Sequence, residues 1–397
     1  MSIVAVAAAA AVAIGAALAS LAAAVSFRLG MLIPREVPRA RVTLILAATG
    51  RLPDIEALFA CLLTQTLRPT RLLVAVESPE DPACGRIAAL SGRYPALAIE
   101  LVVAGLSDGR AQKLTNLLAA FSRLGDADEF VVSLDADIRP QKWWLAALVA
   151  PLAGGRADIV SGYRWPIASA LTPANVIVTW VDRAVAVLPR FASAGALWGG
   201  SLALTRQAIE RIDMPATLSH ALTEDLVIGD RAIAIGLRIV IRRGVRVPTP
   251  LRATTAELWR FARRQLQGVQ VYRRRLWFVT LASHTGDLLA RLALIAAAIG
   301  AGGAVRLGAG ACLLALALLG SAATQIRVSV GRKLEVPDRP ALVVAQHLLV
   351  WTIVPALLFY VSALWASVIY SPVGWAHVRY TVDWRGRVVA ARRRPHR

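Results

Sequence analysis

Apolar residues along this chain fall into three kinds of run, and each kind predicts a different element. The first is long and unbroken. Residues 3–27 read IVAVAAAAAVAIGAALASLAAAVSF and hold no charge. At about 1.5 Å per residue, a helix of this length spans the roughly 30 Å hydrocarbon core of a bilayer. The second kind is short and bounded by turn residues: VTLILAA (42–48), RLLVAVE (71–77), AIELVVA (98–104) and FVVSLD (130–135). These suit strands buried on both faces, as in a parallel sheet. Helical segments lie between them, at 53–66, 84–93, 110–123 and 142–152. Strand alternating with helix predicts a doubly wound α/β domain of Rossmann-like nucleotide-binding type, with its site at the carboxyl ends of the strands. The third kind returns after about residue 289: 288–304 and 307–324 predict a tight helical hairpin, and 341–370 is long, with Pro355 at its centre.

These runs divide the chain into an N-terminal transmembrane anchor (1–30), a soluble α/β domain (41–275), amphipathic and transmembrane helices (276–370) and a basic C-terminal tail (371–397). The first run is too long for the apolar core of a signal peptide, and Met1 and Ser2 supply no basic leader, so it reads as an uncleaved anchor. Arg28, Arg35, Arg39 and Arg41 follow it. By the positive-inside rule they hold the α/β domain in the cytoplasm, at a bacterial-type inner membrane. The basic stretch 326–340 reads as a loop on the same side. If the tail is also inside, 341–370 crosses twice or re-enters at Pro355; a single crossing puts the tail outside.

Composition agrees with a membrane protein. Hydrophobic residues make up 57% of the 397, above the usual half of a soluble domain. Lys and Arg number 45 against 25 acids, a net charge of +20. Because the basic residues flank apolar runs, they imply anionic lipid as the partner and no nucleic acid. Cys61, Cys84 and Cys312 form no CxxC pair, and the five histidines show no ligand spacing, so neither a disulfide framework nor a histidine-bound metal is expected.

Five stretches carry candidate chemistry. In VVSLDADIRP (131–140) a buried-type strand runs into Asp135 and Asp137. Two carboxylates so close repel; either water solvates them in a turn, or a hard divalent cation sits between them. In LTEDLVIGDRAIAIGLRI (222–239) Glu224 and Asp225 open a helix. They favour its dipole, with Thr223 as a cap, or else Asp225 is a general base. In SDGRAQKLTNLL (107–118) Lys113 and Asn116 share a helix face. Lys113 suits a phosphate and Asn116 a base or ribose, unless the helix is simply exposed and amphipathic. In WGGSLALTR (198–206) Gly199 and Gly200 allow close backbone approach and Ser201 adds a hydroxyl, or the segment is a turn feeding a strand. FARRQLQGVQVYRRR (261–275) is basic and amphipathic, which also suits a helix on a lipid surface.

Taken in order, these stretches resemble the family 2 glycosyltransferases of GT-A fold, and within them the ceramide glucosyltransferase-like branch. Its Asp-Pro-Ala segment matches Asp81-Pro82-Ala83, its lysine–asparagine helix Lys113 and Asn116, its strand-end aspartate Asp135-Ala136-Asp137 and its Glu-Asp pair Glu224-Asp225. Its (Q/R)xxRW element begins correctly at Arg264 but ends Gln267-Gly268 in place of Arg-Trp. The resemblance covers about 41–275 and implies a membrane-bound, inverting hexosyltransferase that uses a nucleotide sugar, UDP-glucose first. It implies that Asp81, Lys113, Asn116, Asp135 and Arg264 bind the nucleotide sugar, and that Asp135 and Asp137 hold Mg2+ or Mn2+. Asp225 would deprotonate the acceptor, and Gly200, Ser201, Glu224 and Gln267 would lie on the acceptor side. The acceptor implied is a membrane lipid hydroxyl, such as that of ceramide. The competing readings are a processive polysaccharide synthase, against which the missing tryptophan argues, and a degenerate relative that binds lipid or a partner without catalysis.

Overall fold

A computed structural model describes residues 2–34, 36–190, 192–251, 253–369 and 372–395; Arg35, one of the expected topology signals, lies outside them. The chain opens with α1 (Ile3–Leu29), followed by β1 (Val42–Ala47), α2 (Ile55–Leu63), β2 (Arg71–Val76), α3 (Pro82–Ser91), β3 (Ile99–Val103), α4 (Gln112–Phe121), β4 (Phe130–Leu134) and α5 (Trp144–Ala153). Then come β5 (Ile159–Ala168), α6 (Pro173–Ala186), β6 (Ser201–Thr205), α7 (Arg206–Ile212), α8 (Met214–Thr217), α9 (Glu224–Ala234) and β7 (Ile239–Leu251). Five helices follow: α10 (Thr255–Tyr272), α11 (Arg274–Gly300), α12 (Gly303–Lys333), α13 (Pro340–Trp351) and α14 (Val354–Ala366). Three short strands close the chain: β8 (Val373–Trp375), β9 (Val378–Val382) and β10 (Val388–Arg393). Two compact units result. One comprises Met1–Met31, Pro166–Pro189 and Leu251–Tyr370; the other comprises Leu32–Trp165, Arg190–Pro250 and Ser371–Arg397.

The second unit is built on a seven-stranded sheet in the order β3-β2-β1-β4-β6-β5-β7. β3, β2, β1 and β4 run parallel, as the apolar runs predict. β1, β2 and β4 are buried along nearly their whole length, because helices cover a parallel sheet on both faces. Their side chains join those of α2, α3 and α5 in one core that includes Leu44, Leu46, Phe59, Leu72, Val74, Val132 and Trp144. The sheet departs from a doubly wound parallel one at β6, which lies antiparallel to β4, with Leu134 opposite Ser201. The expectation of parallel strands rested on residues 42–135, and the mixed edge comes from later sequence. The 371–397 tail is also more than a basic extension: β8, β9 and β10 form an antiparallel sheet grouped with the α/β unit.

The other unit is helical. α1, α11 and α12 are each long and apolar enough to cross a membrane. α13 and α14 form a further apolar pair bent by 80° at a short break, with Pro355 in the first turn of α14. The hairpin joining α11 to α12 is as tight as expected, but α12 continues to Lys333. The stretch read as a loop over 326–340 is therefore mostly helix, since a basic run does not by itself stop one. Small residues let α1, α11 and α12 approach closely: Ala13, Ala17, Ala290, Ala297 and Ala309 form their shared contact. Polar groups add cross-links, with Arg327 donating to the Ser20 hydroxyl at 2.6 Å and Lys333 to the Met31 carbonyl. Arg183 of α6, fully buried, grips Asp338 through two nitrogens at 2.5 and 2.7 Å.

Candidate active site

The parallel register of β1, β2 and β4 sends their carboxyl ends to one edge of the sheet. β4 ends at Leu134, so Asp135 and Asp137 emerge at that edge. Since β6 is antiparallel to β4, its first residues meet the same edge, and Gly199 and Gly200 arrive beside Asp135. A Cβ on Gly200 would strike Asp135 Oδ2 and the Trp198 ring; one on Gly199 would strike the Glu224 carboxylate. The glycines are therefore a steric requirement of the site. The Gly199 carbonyl accepts a 3.0 Å bond from the Ser133 hydroxyl, which fixes the loop to β4.

Lys113, on the first turn of α4, ties the cluster together. Its Nζ lies 3.0 Å from Asp135 Oδ1 and 2.6 Å from Glu224 Oε1. α4 starts where it does partly because the Ala111 N–H donates to the Ala221 carbonyl, joining it to the loop before α9. Burial alone would lower the Lys113 pKa, but the charges of Asp135 and Glu224 outweigh it and hold the ammonium well above its ordinary range. Burial pushes the Glu224 carboxyl up, while the Lys113 charge opposes that push. We read the pair as ionised, because so short a contact is charge-assisted. The expectation that Glu224 chiefly serves the helix dipole is thus replaced: its partner is Lys113.

Asp225 is half-buried at the start of α9. Its Oδ1 accepts from the Thr223 hydroxyl at 2.5 Å and the Leu226 N–H at 2.8 Å. Thr223 holds the N-cap position but makes no side-chain cap bond to the helix; its hydroxyl orients Asp225 instead. Asp137 is exposed, and its carboxyl is held above the ordinary aspartate range by desolvation first and the Asp135 charge second. Its accessibility limits the first cause, which leaves the repulsion as the one with structural consequence. Two repelling carboxylates at a strand end fit a hard divalent cation. Among the described residues no three His, Cys, Asp or Glu side chains converge on one point. A cation here would take its remaining ligands from phosphate oxygens and water, which is the usual habit of Mg2+.

Other expected site residues are placed differently. Asp81 is buried at the start of α3, where one carboxylate oxygen accepts from the Gly50 and Ala83 N–H groups, each at 2.8 Å. Its second oxygen is buried without a hydrogen-bond partner among the described residues, which suits a ligand donor. Asn116 does not present its amide to a ligand. It is fully buried, donates to the Ala48 and Ala75 carbonyls at 3.2 and 3.1 Å and accepts from Gln112 at 2.9 Å. It therefore clamps the ends of β1 and β2, because position 116 faces the sheet while position 113 faces the edge. Ser201 is likewise buried, and its hydroxyl accepts from the Trp144 indole at 2.8 Å. Arg264 and Gln267 lie on α10 of the helical unit, Gln267 buried and Arg264 near the Phe261 ring at 5.6 Å.

Sequence reasoning missed the contribution of the C-terminal sheet. His377 Nε2 sits 2.8 Å from Glu77. The Tyr380 hydroxyl accepts from the Gln112 N–H at 2.8 Å, and Arg393 donates to the Gln112 side chain. The alternation in VRYTV and the turn at Asp383–Arg387, with Gly386 at φ +80°, were the available signals.

A mixed α/β sheet with strand-end carboxylates, in a chain with three helices long and apolar enough to cross a membrane, suits a group-transfer enzyme. The chain belongs to glycosyl transferase family 21, which matches residues 5–395, and it is a glycosyltransferase. No curated protein matches it. Its fold is of the GT-A kind. A mannosyltransferase from Pyrobaculum calidifontis, solved with GDP-Man and Mn2+, aligns over 92% of this chain and 98% of its own, at 18% identity and a TM-score of 0.52. Glucosyl-3-phosphoglycerate synthase from Mycobacterium tuberculosis aligns over 62% of this chain and 81% of its own, at 17% identity and a TM-score of 0.36.

Proposed function

We propose that the protein transfers a hexose, with inversion, from a nucleotide sugar to a membrane lipid hydroxyl. The observation that carries this is the convergence of Asp135, Lys113 and Glu224, with Asp137 and Asp225 beside them, at one sheet edge. UDP-glucose as donor and a ceramide-like lipid as acceptor rest on the family resemblance. The Asp81 carboxylate, with one oxygen unspent, offers an acceptor to the nucleotide base. Asp135 and Asp137 would hold Mg2+ or Mn2+, which when bound supplies positive charge to the leaving diphosphate. Lys113 keeps Asp135 and Glu224 in place, and Asn116 acts indirectly by fixing β1 and β2. Arg264 and Gln267 remain proposed contacts, to the donor and the acceptor respectively.

In the reaction, Asp225 takes the proton of the acceptor hydroxyl. The oxygen forms a bond to the anomeric carbon as the bond from that carbon to the diphosphate oxygen breaks, and the diphosphate leaves with the electron pair. The Thr223 hydroxyl and Leu226 N–H occupy Oδ1 of Asp225 and so aim its other oxygen as the base. A carboxylate base on the face opposite the leaving group gives inversion, as in inverting glycosidases. The membrane helices and Arg28, Arg39 and Arg41 support a site on the cytoplasmic face of a bacterial inner membrane.

The test is Asp225→Asn in the full chain. UDP-glucose binding should persist while transfer of labelled sugar to lipid falls by about 10²–10⁴-fold, the usual cost of losing a general base. Transfer near the wild-type rate would place the base elsewhere.

A further inference from the structure

The N-terminus of α4 is capped from the far end of the chain. The first N–H groups of a helix need acceptors, and Ala111, at the N-cap position, makes no side-chain cap bond. The Tyr380 hydroxyl, on β9, fills that role: it accepts from the Gln112 N–H at 2.8 Å, and Tyr380 is fully buried. The Gln112 side chain is equally engaged. Its Oε1 accepts from the Ser107 N–H at 2.8 Å and from Arg393 of β10 at 2.5 Å, and its Nε2 donates to the Gly105 carbonyl and to Asn116. The same Arg393 nitrogen also donates to the Ser107 hydroxyl at 3.0 Å. Two further contacts tie the C-terminal sheet to neighbouring segments. His377 Nε2 lies 2.8 Å from Glu77, between β2 and Asp81. The Val388 N–H donates at 2.9 Å to the His220 carbonyl, next to the Ala221 carbonyl that accepts from the Ala111 N–H.

We propose that the C-terminal sheet is a clamp on the nucleotide-sugar subsite, and that Tyr380 and Arg393 are positioning residues that act on it through Gln112. This rests on the glycosyl-transfer reading above and adds to it the element that holds the donor residues in register. Gln112 directly precedes Lys113, whose ammonium bridges Asp135 and Glu224. A shift or rotation of the first turn of α4 would carry that Nζ away from one carboxylate or the other. The connection from β3 to α4 supplies little stiffness of its own, since it turns on Gly105 and Gly109, at φ +82° and +67°. The bonds from Tyr380 and Arg393 supply what it lacks. The sheet thus reaches the segment that carries Lys113, the segment that leads to Asp81 and the turn that leads to Glu224 and Asp225. It fixes their spacing at the strand edge, where a misplacement of about 1 Å can cost about 100-fold in rate.

The test combines hydrogen exchange with UDP-glucose binding in the detergent-solubilised full chain. Tyr380→Phe deletes one oxygen, and Arg393→Gln removes the guanidinium. In each variant the 105–118 segment should exchange at least about fivefold faster, the size expected for a lost helix cap. Each should also raise the UDP-glucose Kd by at least about threefold, because apparent affinity falls with the fraction of molecules that hold the binding geometry. Arg393→Lys should recover most of the affinity, since a single nitrogen makes both Arg393 bonds. Val389→Ala, at an exposed position on the same strand, should leave both readouts at wild-type values. A change there as large as that of Arg393→Gln would make the sheet a general stabiliser and overturn the proposal. Faster exchange confined to residues 371–397, or a Kd unchanged in both variants, would overturn it too. Tyr380→Phe and Arg393→Gln remove different groups, so misfolding of one leaves the other to decide. The exchange needs no nucleotide. Absence of UDP-glucose binding to the wild type would therefore refute the donor reading, and faster exchange of 105–118 would still establish the hold of the sheet on α4.

Discussion

Lys113→Met removes the ammonium that bridges Glu224 and Asp135 and nearly preserves its volume. The side chains of Lys113, Glu224 and Asp135 are 19%, 5% and 31% exposed, so solvent compensates Glu224 least. Breaking a buried pair by removing one partner costs about 3–5 kcal/mol. For a unit of this size about 3 kcal/mol lowers Tm by roughly 6–12 °C. The loss should depend on pH, with a sign fixed by linkage. Without Lys113 the effects left on Glu224, desolvation first and then the charges of Asp225 and Asp135, all raise its folded pKa above the unfolded value. A group with a raised folded pKa contributes stability that is present at low pH and lost as pH rises through that pKa. The deficit of Lys113→Met should therefore be smaller at pH 5 than at pH 8. Adding Glu224→Gln removes the stranded charge and should recover more than half of the loss at pH 8. Thermal unfolding of the four proteins of this cycle, at both pH values, is the assay. A drop of under about 2 °C, or an equal deficit at pH 5 and pH 8, would refute the ion-pair argument.

Gly199→Ala forces a methyl group into the Glu224 carboxylate, and the displacement should lower sugar transfer about 100-fold; a near wild-type rate would show that the loop yields without consequence. Excess chelator should abolish transfer and added Mn2+ or Mg2+ restore it, since Asp135 and Asp137 have no histidine cluster to replace them; full activity in chelator would remove the metal from the mechanism. Ala89→Cys, an exposed position on α3, in a chain whose three native cysteines are replaced, should resist a membrane-impermeant thiol reagent in intact cells; labelling without permeabilisation would reverse the orientation drawn from Arg28, Arg39 and Arg41.

The parallel half of the sheet was legible because its strands are buried on both faces, so each is a short unbroken apolar run. α1 and the α11–α12 hairpin were legible for the related reason that lipid and packed helices both select apolar residues. Of the antiparallel half only β6 was, as the strand that the Gly199-Gly200 turn feeds. β5 carries Tyr163 and Arg164, and β7 carries Arg242, Arg243 and Arg246, so charge interrupts the apolar signal that would have marked them. Lys113 was found from its place in a motif, but its bridge to Asp135 and Glu224 was not: spacing says which face of a helix a residue shares and nothing of what waits opposite. The same limit applied to Asn116, three residues on and turned into the sheet. The contacts of Gln112 with Tyr380 and Arg393 span more than 260 residues, and no local pattern encodes a contact of that range.

The two glycines, the serine and the tryptophan of this edge show how core packing and chemistry are set by one decision, the register of β6 on β4. With Leu134 opposite Ser201, the Ser201 hydroxyl meets the Trp144 indole in the core and Gly200 faces Asp135. In a strand the side-chain period is two, so a slip of one residue moves every side chain to the other face. Such a slip would turn Ser201 away from Trp144, leaving a buried indole N–H unsatisfied at a cost of about 1–3 kcal/mol. A slip that puts Ser201 in the place of Gly200 would also bring a side chain against Asp135, where a Cβ has no room. The core interaction and the open space beside the carboxylate therefore select the same register. Ser201, expected on the acceptor side, is buried and bonds to the Trp144 indole, and so holds the strand that keeps Gly200 in place.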